Sequence, residues 1–331
     1  MSAASNATRV FPDPTSASPF GWHDTNGVSG PEFTDTRGNN VFVQAGGLDT
    51  IAPNATGDRA EGGEDLEFVY PYNPDLPATA EENILASATN TFYTMNVVHD
   101  VLAEYGFDEA AGNYQATNYT GLGVDGDALQ VDVADPDLIC NAGVMFVPSP
   151  ALTADIDGNN VSVEMGYCNL TDPTRDSGLD NDTLIHEFGH TLLGRLIGGP
   201  NWMQGAPDET QIGAIHEGGS DYLALMFGMQ ATDTPETAKW DSDWFYGSDE
   251  GVRRQPYSYD MSIGNKTYED WNDEIDADTG IPNHEMHNAG EIVASMLYDM
   301  TWELIFKYGG SQDASAMDIA FEEDISRAVG R

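Results

Sequence analysis

The chain predicts an α+β fold, with a β-rich first half that holds one long helix and a helical second half. Apolar residues alternate with polar ones between residues 113 and 168, the period of a strand, while four other stretches repeat them at helical spacing. The 331 residues are 40% hydrophobic, enough for one large or two closely packed domains with a real core. The expected division lies near residue 180, giving a β-rich subdomain at 1–180 and a helical one at 181–331.

From Pro19 to Gly47, short apolar pieces broken by Gly, Asn and Asp (Phe20-Gly21-Trp22, Val41-Phe42-Val43) read as small strands and turns. Residues 49–66 form an acidic, Gly-rich loop. A helix follows over about 80–105, its apolar spacing kept by Ile84, Leu85, Ala88, Phe92, Met95, Val98 and Leu102; His99 within it reads as a buried structural histidine. Leu129, Val131 and Val133, then Val161, Val163 and Met165, mark two strands, and Asp157-Gly158-Asn159-Asn160 a hairpin turn. Asp155, Asp157 and Asn159 partly resemble a calcium loop, but its glycine and distal glutamate are misplaced, so no motif supports a Ca2+ site. A helix over about 182–197 is bracketed by cap candidates Asp180 and Asp182 and by the stop Gly198-Gly199-Pro200. Leu184, Ile185, Phe188, Leu192, Leu193 and Leu196 predict that it is buried. A loop at 199–210 leads to a helix over Ile212–Gln230. A last helix over about 288–308 has Ile292, Val293, Met296, Leu297, Met300, Leu304 and Ile305 as its expected buried stripe.

The chemistry is concentrated in His186-Glu187-Phe188-Gly189-His190, an H-E-x-x-H run. Histidines four apart share one helix face, the geometry for two nitrogen ligands to one zinc ion, with Glu187 placed to act on water beside it. A tetrahedral zinc needs a third protein ligand and keeps its fourth position open for catalysis. Glu217 on the next helix is the best-placed candidate. Asp221, one turn on, is suited to accept a hydrogen bond from the far nitrogen of a ligand histidine. Taken alone, that pair is two acids among 56 and carries little weight. His216 points about 100° from Glu217 around the helix and reads as a supporting residue. Gly218 and Gly219 weaken the helix by roughly 1 kcal/mol each relative to Ala, which implies that another backbone approaches there.

Charge excludes other classes. Twelve Lys plus Arg against 56 Asp plus Glu leave a net −44, which argues against nucleic acid or an anionic membrane as partner. With 10% aromatics the acids read as the surface of a folded protein adapted to high salt rather than as a disordered tail. No run of eighteen apolar residues suggests a membrane span, and residues 1–20 lack the basic start and apolar core of a signal peptide. Cys140 and Cys168 allow one internal disulfide; a bridge and a pair of buried thiols fit the sequence equally.

Three segments in order and spacing (His186–His190, Glu217-Gly218-Gly219-Ser220-Asp221 and His287-Asn288-Ala289-Gly290-Glu291) resemble the fungalysin family of zinc metalloproteases, thermolysin-like enzymes. Ser18–Asp24, Asn90–Tyr93, Val98–Asp100, Arg175–Asn181 and Gly251–Ser258 extend the resemblance over nearly the whole chain, as an acidic, haloarchaeal-like member. The resemblance implies one catalytic Zn2+ held by His186, His190 and Glu217. It implies Glu187 as the general base, His287 as donor to the oxyanion with Glu285 or Glu291 orienting it, and Asp221 behind a ligand histidine. It likens Asn141-Ala142-Gly143 to an edge strand that pairs with extended substrate, and gives Arg253 or Arg254 a substrate carbonyl. His284 has no role in it. Two departures stand out. Gly219 replaces the family's usual Trp, and the chain lacks the family's signal, inhibitory propeptide and last helical segment. The expectation is thus the excised catalytic domain of a secreted zymogen. It is expected to be a monomeric endopeptidase acting on proteins or peptides, restrained in the precursor by its own propeptide. An exopeptidase, or an inactive zinc-binding homologue with an adhesive or structural role, are the rival readings.

Overall fold

The computed structural model describes residues 15–46, 57–146, 161–198, 211–272 and 285–308. The turn expected at 157–160, the 199–210 loop, His284 and part of the 49–66 loop lie outside them. Five strands form one sheet: β1 Val41–Ala45, β2 Leu129–Ile139, β3 Ala142–Phe146, β4 Val161–Cys168 and β5 Arg175–Asp176. The order is β1-β2-β4-β3, with β5 also beside β4. β1, β2 and β4 run parallel, and β3 and β5 pair antiparallel with β4. Among the described residues β3 is therefore an edge strand.

The alternation in β2 and β4 predicts one wet face, yet Asp132 and Ser162 are as buried as Val131 and Val163. The sheet is covered on both sides, as parallel pairing favours. One cover is α1, Glu81–Glu104, whose middle turns are buried all round. Phe92, Met95 and Val98 pack with Val43, Val131, Val163 and Met165 in the main core. His99 is buried as expected, its Nδ1 3.0 Å from Asp100 Oδ1 and Nε2 3.2 Å from Asn113 Nδ2.

The helical half consists of α2 Asn181–Leu193, α3 Gln211–Phe227, the single turn α4 Asp243–Tyr246 and α5 Met286–Tyr308. Asp180 is the cap of α2, its carboxylate accepting from the amides of Asp182 and Thr183 at 3.0 and 3.2 Å, which satisfies two of the helix's orphan donors. The α2 ladder loosens into a π-turn at Gly194–Gly198. Leu184, Ile185 and Phe188 are buried, but Leu196, on that turn, is exposed and not part of the predicted core. The α5 stripe also needs correction. Met296, Met300 and Leu304 face outward, and Ala294, Tyr298 and Trp302 pack instead on Leu225 and Tyr257 in a second, smaller core. Ile292 is buried and Ile305 packs on the second core as expected, so the helix is apolar on both faces and spacing alone mixes the two. The described helices include none long and apolar enough to cross a membrane.

Candidate active site

Three close backbone approaches build the site. A Cβ on Gly189 would lie 2.7 Å from Ser220 Cα, one on Gly218 2.3 Å from the Gly290 carbonyl, and one on Gly290 2.6 Å from Glu217 Cβ. Glycine alone lets α3 lie against α2 and α5 at that distance. Gly218 thus has the expected purpose, whereas Gly219 does not, since a Cβ there would meet only the Leu193 side chain, its Cδ1 at 2.7 Å.

This packing delivers the Glu217 carboxylate between the two histidines. Its Oε2 lies 3.5 Å from His186 Nε2 and its Oε1 3.6 Å from His190 Nε2. His287, in the first turn of α5, brings its Nε2 to 3.5 Å from Glu217 Oε2. These groups face a cleft of about 460 Å³ whose other walls are Asn141–Val144 of the β3 edge, the loop at Val252 and Arg253, and Tyr246. Eight of the residues singled out in the sequence (His186, Glu187, His190, Glu217, His287, Asn141, Ala142 and Arg253) line that one cleft. Asp221 lies behind it, its Oδ1 2.7 Å from His186 Nδ1, the partner position expected for it.

Arg253 forks onto Asp221 through Nε (2.8 Å) and Nη2 (2.6 Å), and Tyr257 donates its hydroxyl to the same carboxylate. Buried Asp241 lies 3.8 Å from Arg253 Nε. Tyr257 falls within the Gly251–Ser258 segment of the resemblance but without a role of its own, and Asp241 falls at no spacing that suggests a site. Of the two acids weighed beside His287, Glu285 is the one in contact. Glu285 Oε1 lies 2.5 Å from His287 Nδ1, whereas Glu291 holds Arg254 through Nε and the backbone amide at 3.0 and 2.8 Å. That engagement makes Arg254 a structural residue. His216 is buried and stacks on His190, ring centroids 5.9 Å apart.

The electrostatics follow from burial and neighbours. Burial raises the Glu187 carboxyl to about 7, with nearby Glu217 adding to it and His186 opposing it. Burial also lowers His190 to about 4, leaving a neutral imidazole ready to donate a lone pair. For His186, burial is outweighed by the hydrogen bonds of Asp221 and Glu217, which raise it well above the usual histidine range. Burial alone would raise Glu217, but the surrounding histidines hold it at about 2. The Glu285 hydrogen bond raises His287 and favours its cationic, doubly donating form.

These donors fit a zinc ion. Bonds of about 2.0–2.1 Å in a tetrahedron set ligand atoms roughly 3.4 Å apart, close to the 3.5 and 3.6 Å found from Glu217 to the two histidines. The three donor atoms lie within 4.8 Å of one another. Buried Glu187 Oε2 accepts no hydrogen bond, and Glu217 Oε2 has only long contacts, 3.5 Å to both His186 and His287, a costly state for carboxylates unless a cation or water completes it. A second trio, His186, Asp221 and Asp241, is close enough to hold a metal, but Arg253 already supplies its positive charge.

The profile of the fungalysin metallopeptidase (M36) family matches residues 1–327. The chain belongs to that family. Curated relatives agree. The "Extracellular metalloproteinase 2" of Phaeosphaeria nodorum is 33% identical over 93% of the chain, and the "Extracellular metalloproteinase" of Pyrenophora tritici-repentis is 33% identical over 90%. The "Extracellular metalloproteinase MEP" of Pyricularia oryzae is 32% identical over 92%. The alignments span 45%, 42% and 44% of those relatives' own lengths.

Proposed function

We propose that this chain is the catalytic part of a secreted zinc endopeptidase, thermolysin-like in arrangement, with its cleft between a β-rich subdomain (1–180) and a helical one (181–331). The observation that carries the reading is the position of Glu187. Its carboxyl is buried, lacks a hydrogen bond at Oε2, and lies beside three ligand-type donors in a cleft bounded by an edge strand.

His186, His190 and Glu217 would hold the zinc. When bound, the metal supplies Lewis acidity, acidifying water and polarising a carbonyl oxygen. Glu187, raised to about 7, is matched to accept a proton from the attacking water near neutral pH and to pass it to the leaving amine. His287, whose cationic form the Glu285 hydrogen bond favours, donates to the developing oxyanion, and such a donor is worth roughly 3 kcal/mol in comparable sites. Asp221 fixes the His186 tautomer, since its carboxylate keeps the proton on Nδ1 and leaves Nε2 for the metal. Arg253, anchored on Asp221, presents its remaining donor to a substrate carbonyl, and the β3 edge accepts an extended peptide as an added strand.

Substrates are therefore proteins or peptides, and the chain acts as a monomer outside the cell, in high salt, after removal of a propeptide. An inactive zinc-binding homologue would need neither the poised Glu187 nor the Glu285–His287 pair. The test is Glu187→Gln. Its zinc content should stay at one per chain while peptide hydrolysis drops at least about a thousandfold. Near-native turnover in that variant would overturn the role given to Glu187.

A further inference from the structure

β2 and β3 lie on opposite sides of β4, and the chain passes from one to the other through Cys140 and Asn141 alone. This corner wraps the C-terminal end of β4. The Cys140 amide donates to the Tyr167 carbonyl at 2.9 Å, and the Gly166 amide to the Asn141 carbonyl at 3.2 Å. Gly166 must lack a side chain, because a Cβ there would lie 2.1 Å from the Leu138 carbonyl and 2.5 Å from that of Asn141. Cys140 itself adopts a left-handed conformation, φ +49°, which a non-glycine residue holds only where its surroundings impose it.

Two attachments impose it. Cys140 is disulfide-bonded to Cys168, the last residue of β4. Its carbonyl accepts a hydrogen bond from the Tyr246 hydroxyl at 3.0 Å, reaching across from α4. The next four residues, Asn141–Val144, line the same cleft as Glu187 and His190. The corner thus sets where the β3 edge stands relative to the reacting centre.

We infer that the Cys140–Cys168 bridge and Tyr246 are positioning elements for substrate, holding the β3 edge in register so that a peptide added to it presents its scissile bond at Glu187. The inference rests on the peptidase reading and adds to it the class of substrate that benefits: peptides long enough to lie along β3. Short peptides that do not reach the strand gain nothing from the clamp.

The test compares wild type, the double variant Cys140→Ala/Cys168→Ala and Tyr246→Phe on internally quenched peptides of two to eight residues, in salt that keeps each folded and with bound zinc measured. In the double variant KM for the longest peptides should rise about tenfold, kcat should change less than about twofold, and the shortest peptide should be unaffected. Tyr246→Phe, which keeps the bridge, should show a smaller KM rise of about threefold with the same dependence on length. A purely structural bridge would lower stability or active fraction and scale kcat equally for every peptide. That outcome, or an unchanged length dependence in both variants, overturns the inference. A zinc-loaded wild type inactive on every peptide overturns the peptidase reading and this inference with it.

Discussion

Glu187 and Glu217 are both almost completely buried, yet their surroundings push them in opposite directions, to about 7 and about 2. The difference supports the proposed roles: a group near 7 exchanges protons at neutral pH, whereas one near 2 stays an anion and can ligate. Glu217→Ala should therefore lose the metal itself, measured as zinc retained after dialysis, where Glu187→Gln keeps it. Retention of zinc at wild-type affinity in Glu217→Ala would break the proposed ligand set. Away from the site, His23 gives a second residue-scale prediction. It packs against both Phe68 and Phe92, with ring centroids 5.6 and 5.0 Å away, and its Nε2 is 3.1 Å from the Asp35 carbonyl. Burial lowers its pKa from 6.5 to about 4. The unfolded chain binds this proton first, so the contribution is fully present above pH 6.5 and is lost as pH falls towards 4. The loss is on the order of 3 kcal/mol at most. Chemical denaturation of wild type and His23→Gln across pH 4–7 should show a steeper acid slope for wild type; equal slopes would remove His23 from the account.

At the scale of elements, the crossing of α3 with α5 decides whether the third ligand arrives. A Cβ on Gly218 meets backbone, the Gly290 carbonyl at 2.3 Å and the Ala294 amide at 2.9 Å, whereas one on Gly219 meets the tip of Leu193. Both Ala substitutions gain roughly 1 kcal/mol in helix propensity. Only Gly218→Ala forces the helices apart, for about 1–3 kcal/mol of overpacking. Gly218→Ala should therefore lower stability and weaken zinc binding, and Gly219→Ala should be neutral or stabilising. Thermal melts and zinc titration of the pair check this, and a stabilised Gly218→Ala would contradict the crossing. The same elements show what a sequence can disclose. The i, i+4 spacings in α2 and α3 were legible because ligand geometry is local to a helix, and so were the long helices and the glycine contact. The exposed face of α5 was not, because Met296, Met300 and Leu304 are as apolar as the buried Tyr298 and Trp302. The choice between Glu285 and Glu291 depended on Arg254 occupying the latter, and the Cys140 corner depended on β4 lying between β2 and β3. Those are tertiary facts with no local signature.

The whole molecule carries a net −44, with only 12 positive side chains to offset 56 carboxylates. Two of those cations are committed to carboxylates in the interior, Arg253 to Asp221 and Arg195 to Asp127 at 2.7 Å, so they relieve little of the surface repulsion. At 0.01 M salt the Debye length is about 30 Å, and carboxylates across the molecule repel one another. At 1 M it is about 3 Å, and only near neighbours do. Salt should therefore stabilise the fold by screening, in proportion to how many like charges the surface crowds together. The ligand cluster is buried and already balanced by its histidines, so salt has little to screen there. Folding and activity should thus be lost together as salt is removed, with the metal released only after the fold opens. The prediction is that near-UV circular dichroism and peptide hydrolysis share one midpoint on a salt titration at fixed zinc, and that both need salt on the order of 1 M. Stability and full activity for hours at about 0.1 M would refute the salt adaptation while leaving the peptidase assignment in place. Activity lost at a salt concentration where the dichroism is unchanged would instead locate the salt effect at the cleft.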